Sequence, residues 1–138
     1  MTTRMNIYLS FRDNARQAME FYQSVLGGEL EMSTFGDMHA GEDPAEQEKI
    51  MHAMLVSPSG LTLMGADTPN TMSYSPGDNI SVSLSGEDEG ELRGYWDKLA
   101  EGATITAPIN TAPWGDIFGM CTDKFGIAWL VNISPAST

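Results

Sequence analysis

A chain of 138 residues, 41% of them hydrophobic and 9% aromatic, has the length and apolar content for a globular core, which excludes a disordered or fibrous protein. Its net charge of −12 opposes a phosphate backbone over most of the surface, so no nucleic-acid partner is expected; no apolar run reaches membrane-spanning length. One cysteine, Cys121, forbids an internal disulfide, and residues 1–5 carry no apolar signal core, so a cytoplasmic protein is expected.

Residues 5–11 alternate, with Ile7, Leu9 and Phe11 on one side and Asn6, Tyr8 and Ser10 on the other, the period of a half-buried strand. Asp13 is placed to cap a helix over about 14–26, with Ala15, Ala18, Met19, Tyr22, Val25 and Leu26 as its apolar stripe. Gly27 and Gly28 stop that helix, and a strand follows over 29–35. Residues 36–48 are acidic and read as an exposed loop with one helical turn from Pro44. His39, Asp37, Glu42 and Asp43 there have the composition of an accidental metal site but the pattern of a solvated loop. Ile50–Val56 and 61–65 form a hairpin across Ser57, Pro58, Ser59 and Gly60, and 67–77 is a connector with turns at Pro69 and Pro76.

The second half begins with a predicted strand over 79–84, Asn79, Ser81 and Ser83 lying opposite Ile80, Val82 and Leu84. A helix over 88–100 follows, with Leu92, Tyr95, Trp96 and Leu99 on one stripe. Its acidic start suits the positive end of the helix dipole. A short strand at Thr104 and Ile105 leads to a loop with Pro108, Pro113 and Trp114. Strands over 116–122 and 127–133 close the half around Asp123, Lys124, Phe125 and Gly126, and the tail 134–138 is loose.

The halves echo each other. Asn6 to Leu26 and Asn79 to Leu99 span equal lengths, and the turn glycines Gly60 and Gly126 recur in the same strand–turn–strand setting. Repeats this short do not make two independent domains. The pattern predicts one α+β domain, 1–138, of two βαβββ modules (about 1–66 and 78–133), their sheets curled into a half-barrel with a cleft. Both opening strands place amides, hydroxyls and a phenol, but no charges, opposite their aliphatic side, as a sheltered binding face would. The candidate lining residues are Tyr8, Ser10, His52, Met54, Asn79, Ser81, Trp114 and Phe118, the last being the counterpart of His52 in the second module. Plain packing is the competing reading for His52 and for Trp114.

Asp13, Ala18, Phe21, Tyr22 and the run from Leu26 to Leu30 resemble the opening of the vicinal oxygen chelate superfamily, which includes glyoxalase I, extradiol dioxygenases, and bleomycin and fosfomycin resistance proteins. The segments TFGDM (34–38), KIMHAML (49–55), LMGAD (63–67) and APWGDIFGMCTDKFGIAWLVN (112–132) are most similar to its PhnB-like branch. The resemblance implies the paired βαβββ fold and a homodimer. It also implies where related enzymes hold a divalent metal with His, Gln or Glu, namely on the first and last strands of each module. Those places fall here near Asn6, Met64, Asn79 and Leu130, which do not form a divalent site, so no cofactor is expected and His52 is the one plausible metal ligand.

The expected function is therefore metal-independent binding of an unnamed small molecule, a resistance-type capture of a cationic drug included. The alternatives are a divergent metal-dependent lyase or dioxygenase, using His52 with Asp116 or Glu31, and an interaction domain with an empty cleft. Some PhnB-like sequences carry a ubiquinone methyltransferase label, but no strand–glycine-loop–helix unit for a methyl-donor nucleotide is present.

Overall fold

In the computed structural model, which describes residues 3–39 and 44–134, each half of the chain builds one four-stranded sheet and one helix. The chain divides into two units, 1–76 and 77–138. Glu42, Asp43 and tail residues 135–138 lie outside the described residues.

The first unit runs β1 (Ile7–Phe11), α1 (Ala15–Leu26), β2 (Glu29–Thr34), a 3-10 turn (Pro44–Glu46), β3 (Ile50–Val56) and β4 (Thr62–Asp67). Its sheet order is β1-β4-β3-β2, with β1 parallel to β4 and the other pairs antiparallel. The helix buries the whole predicted stripe from Ala15 to Leu26 and packs on β2, β3 and β4. Phe11, Ile50, Ala53, Leu55 and Leu63 complete that core. Each large side chain so buried stabilises by about 1.5–3 kcal/mol. Gly28 fixes the entry to β2: its φ is +92°, and a Cβ there would lie 2.0 Å from the Val56 carbonyl oxygen, so no other residue fits.

Asp13 does not cap α1. It adopts φ 72° and pairs with Lys49 at 2.7 Å, while Asn14 takes the cap position without a side-chain bond. The helix start is held instead from the adjacent strand, by the residue that pairs with Phe11 at the end of β1. The buried Asp67 carboxylate accepts from the Ala15 amide (2.9 Å) through Oδ1 and from the Ile50 amide (2.9 Å) through Oδ2. β4 thus runs through Asp67, and the expected connector is attached to the first unit: Arg12 Nη2 donates to the Met72 carbonyl (2.5 Å), and its guanidinium lies 5.3 Å from the Tyr74 ring centre.

Lys49 joins three segments, its ammonium meeting both Asp13 and Glu46, while Glu46 Oε1 accepts from the Asn70 amide at 2.6 Å. The Lys49 ammonium, then the Asn70 amide, hold the Glu46 carboxyl below its ordinary value. A carboxyl depressed by folding contributes stability above the ordinary carboxylate range and loses it as pH falls through that range. The urea midpoint should therefore drop on acidification between about pH 5 and pH 3, and drop less steeply in Lys49→Met. Equal slopes in the two proteins would refute this.

The second unit runs β5 (Val82–Gly86), α2 (Glu89–Leu99), β6 (Thr104–Thr111), β7 (Ile117–Thr122) and β8 (Ala128–Ile133), in sheet order β5-β8-β7-β6 with β5 parallel to β8. Asp88 caps α2 by accepting from the Glu91 amide (3.0 Å). Leu92, Trp96 and Leu99 pack with Cys121, Trp129, Val131 and Ile133 as the core. Gly119 lets the Trp96 ring approach, since a Cβ there would meet it at 2.9 Å.

Two expectations fail here. The opening strand starts at Val82, not at 79, so Asn79, Ile80 and Ser81 precede it, and Ile80 is 82% exposed. β6 is eight residues long, continuing through Pro108, because it is an edge strand whose pairing shifts register between Ala107 and Asn110. A missing N–H is tolerated at such a place. The repeat itself holds to atomic detail. Ser57 and Asp123 begin turns closed by Gly60 N to Ser57 O and Gly126 N to Asp123 O, both 2.9 Å, with φ 93° and 91° at the two glycines. The fold is α+β, a βαβββ arrangement written twice, as predicted.

Candidate functional site

Directly opposed residues in a sheet share a side, so the strand registers define which side chains meet. In the first unit one row reads Tyr8, Met64, Met54 and Glu31 across β1, β4, β3 and β2. The next places Ser10 opposite Ala66, and His52 opposite Ser33. This side faces away from α1, whose partners are the alternate residues Leu55, Leu63 and Ala53. Tyr8 is 51% exposed, and His52, Met54 and Met64 are half-buried. The Tyr8 and His52 rings stand 6.2 Å apart at 45°. Partial burial raises the Tyr8 phenol above its ordinary value, keeping it a neutral hydrogen-bond donor.

In the second unit the corresponding row is Ser83, Leu130 and Met120, followed by Asn132, Phe118 and Asn110. Trp114, 62% exposed, sits in the tight turn between β6 and β7. The Ala112 amide to Asp116 carbonyl bond (2.7 Å) closes that turn, and Gly115 supplies φ +100°. Its ring meets Phe118 edge-on at 5.5 Å. Asp116 Oδ2 accepts from Asn132 Nδ2 (2.9 Å).

The structure thus gathers Tyr8, Ser10, His52 and Met54 on one face of the first sheet, and Trp114 with Phe118 in the second unit. Asn79 and Ser81 are exposed in the segment before β5; Ser83 and Ser85 hold the strand positions expected of them. Met64 and Met120 share these faces with Ser33 and Asn132, and only the last two went unnoticed in the sequence. The alternation of β2 and β8 carried that signal, but it names a face only once the pairing is known.

The pairing also corrects the metal-position register. The first-strand residue beside Met64 is Tyr8, not Asn6, and the one beside Leu130 is Ser83, not Asn79. A phenol, a thioether, a hydroxyl and an aliphatic side chain do not fit a divalent cation. Among the described residues, no three His, Cys, Asp or Glu are grouped to hold one. Glu31 stands diagonal to His52 across β2 and β3, while Asp116 is engaged by Asn132. Burial, then the Asp123 charge, push the Cys121 thiol up, so it is not a ready nucleophile. An open depression of about 380 Å³, lined by Gly28, Glu29, Val56, Ser57 and Pro58, lies at the turn end of the first sheet.

The family model for the Glyoxalase/Bleomycin resistance protein/Dioxygenase superfamily matches residues 4–131. Protein YjdN of Escherichia coli is 30% identical over 91% of this chain and 92% of its own. The crystal structure of protein PA1353 from Pseudomonas aeruginosa is similar with a TM-score of 0.86 and 37% identity, covering 98% of this chain and 100% of that one. A Bacillus cereus protein described as a putative 3-demethylubiquinone-9 3-methyltransferase, PhnB protein, has a TM-score of 0.74 at 23% identity, covering 96% of this chain and 100% of its own, and supports the fold alone.

Proposed function

The chain belongs to the Glyoxalase/Bleomycin resistance protein/Dioxygenase superfamily, and from that premise we propose that it is a PhnB-like protein that binds a small organic molecule without a divalent metal. The observation that carries the reading is the make-up of the first- and last-strand rows, Tyr8 beside Met64 and Ser83 beside Leu130. Superfamily enzymes chelate from these places. Here they offer rings, sulfur and hydroxyls, which hold a ligand by contact area and hydrogen bonds. The methyltransferase name of the Bacillus cereus protein is not carried over. The strand-to-helix junctions are Arg12, Asp13 and Asn14 in one unit and Glu87 and Asp88 in the other, with no glycine loop to cradle a nucleotide.

Protein purified without a histidine tag should contain far less than one equivalent of Zn, Mn, Ni or Fe by elemental analysis. In a thermal-shift screen, a ligand at 100 times its Kd contributes about 2.7 kcal/mol, a rise of about 10 °C, most of which Tyr8→Ala should abolish. Stoichiometric metal that His52→Ala removes would instead establish the divergent metalloenzyme.

A further inference from the structure

The charge on the face that carries Tyr8 is one-sided. Strand residues on that side of the first sheet are Tyr8 and Ser10 from β1, Glu29, Glu31 and Ser33 from β2, His52, Met54 and Val56 from β3, and Thr62, Met64 and Ala66 from β4. Two are carboxylates and none is lysine or arginine. Of the described cations of the first unit, Lys49 pairs with Asp13 and Glu46, Arg12 donates to the Pro69 and Met72 carbonyls, Arg16 lies on α1, and Arg4 precedes β1. Among the described residues, no ion pair reaches Glu29 or Glu31. Two aromatic rings at 6.2 Å and two opposed thioethers provide flat, polarisable contact beside this unpaired negative charge.

We propose that this face takes a planar organic cation, its ring system against Tyr8, His52, Met54 and Met64 and its positive charge toward Glu31. The inference rests on the binding reading above and specifies its ligand class. A ring face attracts a cation through its quadrupole, a thioether adds dispersion, and a carboxylate directly opposite Met54, two strands from Met64, supplies the counter-charge. A planar anion would meet Glu31 with no lysine or arginine among the strand residues of that face. A compact cation would forgo the ring contacts.

The test is fluorescence titration of proflavine, a planar cation, with EDTA present, beside coumarin (planar, neutral), naphthalene-2-sulfonate (planar, anionic) and tetraethylammonium (cationic, not planar). Proflavine should bind most tightly. Tyr8→Ala should weaken it about tenfold and Glu31→Gln about fivefold, while Tyr8→Phe stays near the parent protein. Glu20→Gln, which makes the same charge change on the exposed side of α1, should leave binding unaltered. Circular dichroism of each variant confirms folding.

Tighter binding of the sulfonate or coumarin, equal competition by tetraethylammonium, or indifference to both Glu31→Gln and Tyr8→Ala would overturn the cation assignment and leave metal-free binding standing. No binding by any probe overturns it too, as does a dimer that Tyr8→Ala dissociates without dye binding, since a second copy would then cover the face. The parent reading falls separately, on the metal content and the thermal-shift screen.

Discussion

Asp67→Ala is expected to destabilise the protein by about 4 kcal/mol, lowering Tm by about 15 °C, because two buried amides lose a charged acceptor together. Asp67 is 5% exposed, so water does not readily replace it. The amides belong to Ala15, in the first turn of α1, and to Ile50, the first residue of β3, so one side chain ties the helix, the sheet centre and the end of β4. Asp67→Asn keeps one acceptor and should lose roughly half as much. Equilibrium urea unfolding gives the free energies, and amide exchange at Ala15 and Ile50 locates the loss. A change below about 1 kcal/mol would show that neither amide depends on this carboxylate.

Asp123→Ala comes next, at about 3 kcal/mol. Its carboxylate accepts from the Phe125 amide (2.8 Å), the Ile127 amide (3.1 Å) and the Trp129 indole (2.8 Å), closing the β7–β8 turn and orienting the largest fully buried side chain. Loss of near-ultraviolet dichroism at unchanged far-ultraviolet signal would mark the freed indole. In the first unit Ser57 takes the same turn position, its neutral hydroxyl accepting from the Leu61 amide (3.0 Å) and sharing a hydrogen bond with the Ser59 hydroxyl (3.1 Å). Ser57→Ala should therefore cost only about 1 kcal/mol. Equal costs at the two positions would contradict the assigned role of the Asp123 carboxylate.

Much of the fold was legible because period and punctuation agreed locally. The α1 stripe is unambiguous at helical spacing, β3 has the predicted bounds, and the glycine-closed turns announce the repeat. Where local signals ran on or conflicted, the reading slipped. Polar–apolar alternation from Asn79 to Ser85 marks a strand but not its first residue, and pairing with β8 decides it at Val82. Pro108 looks like a breaker until β6 is known to lie at an edge. Asp13 has the right chemistry for a cap and the wrong backbone, while the carboxylate that holds the helix stands 52 residues from its amide.

The candidate site was half legible for the same reason. Tyr8, Ser10, His52 and Met54 follow from alternation within β1 and β3. The contact of Tyr8 with His52, and the presence of Met64 and Glu31 beside them, follow only from the order β1-β4-β3-β2. Long-range pairing, which no local period encodes, turned a set of candidates into a surface.

All three tryptophans, Trp96, Trp114 and Trp129, belong to the second unit, whereas three of the four tyrosines, Tyr8, Tyr22 and Tyr74, are in the first and Tyr95 is in the second. Excitation at the red edge of the indole band therefore watches one half of the molecule and is blind to the other. Within that half, two emitters are enclosed and one is open to solvent quenchers. An unfolding curve followed by indole emission reports the second half, one followed by tyrosine absorbance in Tyr95→Phe reports the first, and their coincidence or divergence reads out whether the duplicated halves melt as one.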